Sequence, residues 1–184
     1  MPTDWLPGTP PTSGAGNYLR LKDLMGYPDK SADLRCLLPF IHGWEVWVTD
    51  GKPVRAAERE RLPAQSEWRV EEGKRDEPKQ FWATAVWNAT KERPQVFSFT
   101  QGTIYNQLRA LLDNKKWGAL DAYDITIKAS GEGLKRKYDI TPNPKEALPA
   151  KAQEEWTALQ ASWTGLAALY SGGDPFASFD EVPF

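Results

Sequence analysis

The sequence predicts a mostly β domain, a small five-stranded barrel with one short helix, followed by a C-terminal helix and a disordered acidic tail. Three observations carry this. Short aromatic and β-branched runs recur between turn signals. One amphipathic helical pattern interrupts them, and the order is several strands, one helix and a closing hairpin, unlike the alternation of a parallel α/β sheet. The chain of 184 residues is long enough for one domain with an appendage.

Residues 1–16 read as a flexible leader rich in Pro, Gly, Ser and Thr, and the domain occupies 17–145. Tyr18 to Leu21 alternates like a short strand, and Leu34 to Phe40 is a strand stopped by Pro39. From Trp44 to Thr49, Trp44, Val46 and Val48 share one face and Glu45, Trp47 and Thr49 the other. Asp50-Gly51 turns the chain into Lys52 to Arg55, and 56–80 is a charged, exposed excursion. Phe81 to Asn88 and Gln95 to Thr100 form the central hairpin. Thr103 can cap a helix whose core positions are Ile104, Leu108, Leu111 and Leu112. Tyr123 to Ala129 alternates strictly and turns at Ser130 to Gly133, and Leu134 to Thr141 returns beside it. Pro142 and Pro144 end this region. With its helix between the third and fourth principal strands, the order matches an OB-type barrel; a β-sandwich is the alternative.

Residues 146–170 read as the C-terminal helix. Ala152, Trp156, Leu159, Trp163, Leu166 and Tyr170 form a heptad-like stripe that docks on its own domain or on a second copy. Residues 171–184 read as disordered, with no base and with Asp174, Asp180 and Glu181 among Gly, Ser, Pro and Phe.

The net charge of −2 is a sum of opposites: residues 1–145 carry 22 bases and 19 acids, residues 146–184 one base and six acids. No apolar run approaches the roughly 20 residues of a membrane span, and the leader has no basic start or apolar centre, so a cytoplasmic protein is expected. One cysteine, Cys36, and one histidine, His42, supply neither an internal disulfide nor a zinc site. No nucleophile elbow, phosphate-cradling glycine loop or isolated carboxylate pair is present, so no enzyme, no cofactor and no metal are expected.

The positive signal is aromatic rings interleaved with bases. Nine Trp, seven Phe and six Tyr exceed what a core of this size needs. Single-stranded nucleic acid offers base faces to rings and phosphates to cations. Stacking candidates are Trp44, Trp47, Trp82, Trp87, Phe99 and Tyr138; Lys52, Arg55, Lys79, Lys128 and Arg136 are candidates for the phosphate path. Trp82 and Trp87 fall on opposite faces of their strand, so one of them belongs to the core. A Trp-rich carbohydrate-binding β-domain and a protein-recruitment adaptor with incidental DNA binding are the rival readings.

The closing segment Phe179-Asp180-Glu181-Val182-Pro183-Phe184 resembles the acidic tip of bacterial single-stranded DNA-binding proteins, with fewer consecutive acids and Val182 where that family usually has isoleucine. Gly43-Trp44 to Arg55, Phe81-Trp82 to Asn88 and Lys128 to Thr141 resemble the OB-fold single-stranded DNA-binding proteins of tailed bacteriophages, which also carry acidic tails. The resemblance implies a protein that coats single-stranded DNA without sequence readout in replication, recombination and repair. It also implies that the tip docks partners such as a polymerase, helicase/primase, nuclease or recombinase. A phage-encoded protein would work in the host cytoplasm.

Overall fold

A computed structural model describes residues 14–176. The tip residues Phe179, Asp180, Glu181, Val182, Pro183 and Phe184 lie outside them. In chain order the elements are α1 (Gly14–Asn17), β1 (Tyr18–Leu19), β2 (Ser31–Cys36), β3 (Ile41–Trp47), β4 (Pro53–Ala56), β5 (Val70–Glu71) and β6 (Lys74–Arg75). There follow β7 (Lys79–Asn88), β8 (Arg93–Phe99), α2 (Gly102–Asp113), β9 (Tyr123–Ser130), β10 (Lys137–Lys145) and α3 (Ala150–Gln160). The protein is mostly β, and its large mixed sheet runs β1-β8-β7-β2-β9-β10.

The long strand β7 organises this sheet. It pairs with β8 through a hairpin on one edge. On its other edge it pairs with β2 (Leu34 opposite Asn88, Cys36 opposite Val86) and then with β3 (Ile41 opposite Ala83, Glu45 opposite Lys79). β2 and β3 are thus one strand interrupted at 37–40, where Pro39 removes a ladder donor. The bend borders a cavity of about 400 Å³ lined by Leu37, Leu38, Phe40, Leu112 and Leu120. β2 continues the sheet to β9, and β9 to β10.

Alternation divides the side chains between two layers. On the inner face Leu34, Val86, Phe97, Ile125 and Ile127 close over Ile104 and Leu108 of α2. On the outer face Phe81, Ala83 and Val96 are covered by Leu166 and Leu169 of a 3-10 segment, Leu166–Ser171. Central strands buried on both faces read as nearly continuous apolar runs.

Among the described residues no pairing joins β8 to β10, so the sheet does not close by hydrogen bonds. β1 lies parallel to β8 at that edge. The Gln107 side chain of α2 serves β10 in place of a strand: its Nε2 donates to the Tyr138 carbonyl (2.9 Å) and its Oε1 accepts from the Ile140 amide (2.8 Å).

Several expectations need correction. The N-cap of α2 is Gln101, not Thr103, and its side chain makes no capping bond. Pro142 and Pro144 lie within β10, an outer strand that tolerates prolines. Its ladder is irregular between Pro142 and Lys145, and Asn143 Nδ2 donates to Asp124 O and Thr126 Oγ1 instead. The return strand starts at Lys137, because Gly133–Lys135 forms a 3-10 turn. The C-terminal helix stops at Gln160, and Gly165, with φ 91°, starts the separate 3-10 segment. The heptad stripe is therefore split, with Trp163 against the outer cluster rather than on a continuous helix.

Of residues 171–176, expected as the start of the tail, 171–173 are exposed, but Asp174, Pro175 and Phe176 are packed. Tyr18 donates from its hydroxyl to Asp174, and Phe176 packs edge-on against Tyr18 and Trp163. Burial and the bond to Asp174 push the Tyr18 hydroxyl well above its ordinary pKa.

Cys36 is buried, and that burial, reinforced by the charge of Asp121, pushes its thiol up to about 12. A thiol so desolvated presents almost no thiolate at neutral pH. Iodoacetamide should therefore label the native protein slowly, and labelling should rise with urea in step with unfolding. Rapid labelling of the native state would contradict this placement.

Candidate nucleic-acid interface

At the edge of the inner core, the inner face of β3 and β7 carries a group of rings. Register sets His42 opposite Trp82 and Trp44 opposite Gln80. Rings from three strands and a loop then follow one another: Phe40 meets Phe99 at 5.9 Å, Phe99 stacks on Trp82 at 5.5 Å, and Trp82 meets His42 at 5.3 Å. Tyr105 of α2 joins Trp82 at 4.8 Å with 32° between planes.

Access differs along this series. Phe99 is buried, Trp82 is half-buried between its neighbours, and His42 and Tyr105 face solvent. His42 Nε2 donates to Gln80 Oε1 at 2.8 Å, which fixes the imidazole beside Trp82. Trp44, two residues along β3 and thus about 7 Å away on the same face, is half-buried, with the Arg59 guanidinium 5.4 Å from its ring centroid. A row of flat rings backed by other rings and flanked by a cation is chemically suited to stacking planar anionic ligands.

The outer face of the same strands holds a second group. Trp47 is exposed beneath the Arg69 guanidinium at 4.9 Å. Arg55 Nε donates to Glu45 at 2.7 Å while its guanidinium lies over the Phe81 ring at 5.2 Å. Lys79 is exposed opposite Glu45 in the register, and Lys52 is exposed in the turn before β4. A cavity of about 340 Å³ lies among Tyr18, Arg20, Glu45, Trp47, Pro53 and Arg55.

The eleven residues singled out from sequence therefore do not form one groove. Trp44 and Trp82 come together on the inner face, and Trp47, Lys52, Arg55 and Lys79 gather on or beside the outer one. Lys128 is exposed on the outer side of β9, whereas Tyr138 of β10 packs half-buried against the inner core and Arg136 is half-buried just before it. Two assignments are corrected outright: Trp87 and Phe99 are each 4 % exposed and present no free ring face. Phe99 acts instead as the backing of Trp82.

Sequence reasoning missed His42, Tyr105 and Arg59. His42 lies two residues before Trp44, on the same side of the strand, but the alternation from Trp44 to Thr49 begins only after it. Gly43 between them is required by packing: a Cβ there would stand 2.5 Å from the Ala56 carbonyl and 2.7 Å from the Tyr170 ring. Tyr105 directly follows core residue Ile104, a helical position that turns it away from the core.

Among the described residues no group of three or more His, Cys, Asp or Glu side chains is arranged to hold a metal ion. No helix among them is long and apolar enough to cross a membrane. The chain matches no protein-family model, and no curated protein or solved structure is significantly similar to it.

Proposed function

We propose that this protein binds single-stranded DNA without sequence readout and without catalysis, on an OB-type scaffold. The observation that carries this reading is the ring series ending in solvent-facing His42 and Tyr105, beside Trp44 under Arg59. Stacked rings tolerate any base, because every base has a π-face.

The strand order supports the scaffold assignment. The interrupted strand β2–β3, then β7 and β8, form an antiparallel meander; α2 follows; β9 pairs with the first strand and forms a hairpin with β10. This order supports an OB-type reading, in which α2 and its Gln107 would stand in for the final strand closure. The acidic tip would recruit replication or recombination proteins, and its acids distinguish that role from DNA contact.

Titrating intrinsic tryptophan fluorescence with oligothymidine tests the reading. Quenching at low salt, weakening as salt rises, is expected, since each phosphate neutralised on a single strand contributes about −0.7 to the slope of log K against log salt. An unchanged signal at low salt would overturn it, and salt-independent binding to an oligosaccharide would favour the carbohydrate reading.

A further inference from the structure

The β9–β10 hairpin carries a feature that single-strand stacking does not use. Leu134, at its tip, is fully exposed, at 107 % relative accessibility, the most exposed large apolar side chain among the described residues. The tip is a built projection. Gly131 and Gly133 take φ values of 73° and 54°, and a Cβ on Gly131 would collide with the Lys135 carbonyl. The amides of Lys135 and Arg136 donate to the carbonyls of Glu132 and Gly133, at 3.0 and 3.2 Å.

Cations lie near this leucine. Lys135 is exposed in the turn itself, Lys137 at the start of β10 and Lys128 on the same face of β9, while Arg136 is half-buried at the root with its Nε shielded and without an acceptor. Glu132 stands in the tip and Asp139 directly opposite Lys128 in the register, and no ion pair within 4 Å engages any of the four cations among the described residues. An apolar tip one side chain wide with exposed Lys135 and Lys137 beside it and Lys128 farther down the same face complements a flat apolar surface with an anionic backbone on either side. The end of a nucleic-acid duplex has that chemistry, and apolar side chains are used as wedges against base steps. An anionic membrane also offers apolar depth and negative charge, but stable attachment there takes a broader apolar face or a second anchor.

We infer that the β9–β10 hairpin engages the duplex end at a single-strand/double-strand junction, with Leu134 against the terminal base pair and Lys128, Lys135 and Lys137 on the two backbones. This rests on the single-strand-binding reading and assigns it a preferred substrate: single strand adjoining duplex.

The test compares a labelled oligothymidine with the same oligothymidine carrying a hairpin duplex at one end, by fluorescence anisotropy. The tailed hairpin should bind about tenfold tighter, a difference of one decade in Kd. Leu134→Ser should abolish that preference while leaving oligothymidine affinity and the urea midpoint unchanged, because the side chain packs against nothing. Lys135→Gln/Lys137→Gln should weaken hairpin binding and flatten its salt dependence. Equal affinity of the wild type for both probes, or a preference that survives Leu134→Ser, would overturn the inference. So would Leu134-dependent binding to phosphatidylserine vesicles without any junction preference. Loss of oligothymidine binding altogether would instead overturn the parent reading, and the two failures are read in separate arms.

Discussion

Replacing Asp124 with Ala should destabilise the fold by about 3–5 kcal/mol, the usual cost of leaving a buried charge without its partner. The Arg35 side chain is 2 % exposed, on the outer side of β2, and its Nε donates to Asp124 Oδ1 at 2.7 Å. Its Nη1 donates to the carbonyls of Asp121 and Glu146, while Nη2 is buried and has no acceptor among the described residues. The guanidinium thus joins β2, the loop before β9 and the segment after β10. Removing the carboxylate strands a guanidinium that is 2 % exposed and already short of one acceptor. Asp124→Asn retains an acceptor and should cost less. The double replacement Arg35→Met/Asp124→Leu removes charge and counter-charge together and should recover most of the loss, since apolar replacement of a buried pair is often neutral. Urea denaturation at constant m decides between these outcomes. A loss below about 1 kcal/mol in Asp124→Ala, the range of an exposed pair, would show that the network is hydrated.

What the sequence disclosed depended on whether one face or two were buried. β9 alternates strictly because its outer face meets solvent, and its extent was legible to within a residue. β7 carries aromatics on both faces because both are covered, the inner by α2 and the outer by the C-terminal segment. Its pattern could therefore not say which of Trp82 and Trp87 was free. The union of β2 and β3 along β7 involves residues more than 30 positions apart, and no local pattern encodes it. The C-terminal stripe was real as a set of inward-facing residues, but Gly165 in a conformation that disfavours other residues broke the helix between them. Trp44 was legible in the candidate site because it stands in a clean alternation. Tyr105 was not, because its importance comes from α2 crossing over Trp82, which is a tertiary fact.

Replacing Trp44 and Tyr105 together with Ala should weaken oligothymidine binding by about 2–6 kcal/mol, roughly 30-fold to 10⁴-fold, at about 1–3 kcal/mol for each stacking ring. The two rings come from different elements: Tyr105 of α2 packs on Trp82, which meets His42, and Trp44 stands two residues beyond His42 along β3. If each takes its own base, the single losses should add; if they grip one base together, the double variant should lose less than the sum. Anisotropy of a labelled oligonucleotide is the appropriate readout, because removing Trp44 alters intrinsic fluorescence. Tyr105→Phe keeps the ring and should retain affinity, which separates stacking from a hydroxyl contact. Tyr105 is 38 % exposed and packs on Trp82, so its truncation should cost about 1 kcal/mol in urea, and affinities are compared on folded protein. Arg59→Gln should act differently, lowering the salt slope by about 0.7 as one phosphate contact is lost. Full oligothymidine affinity in the folded double variant would remove the inner face from consideration and turn attention to Trp47 beneath Arg69 on the outer one.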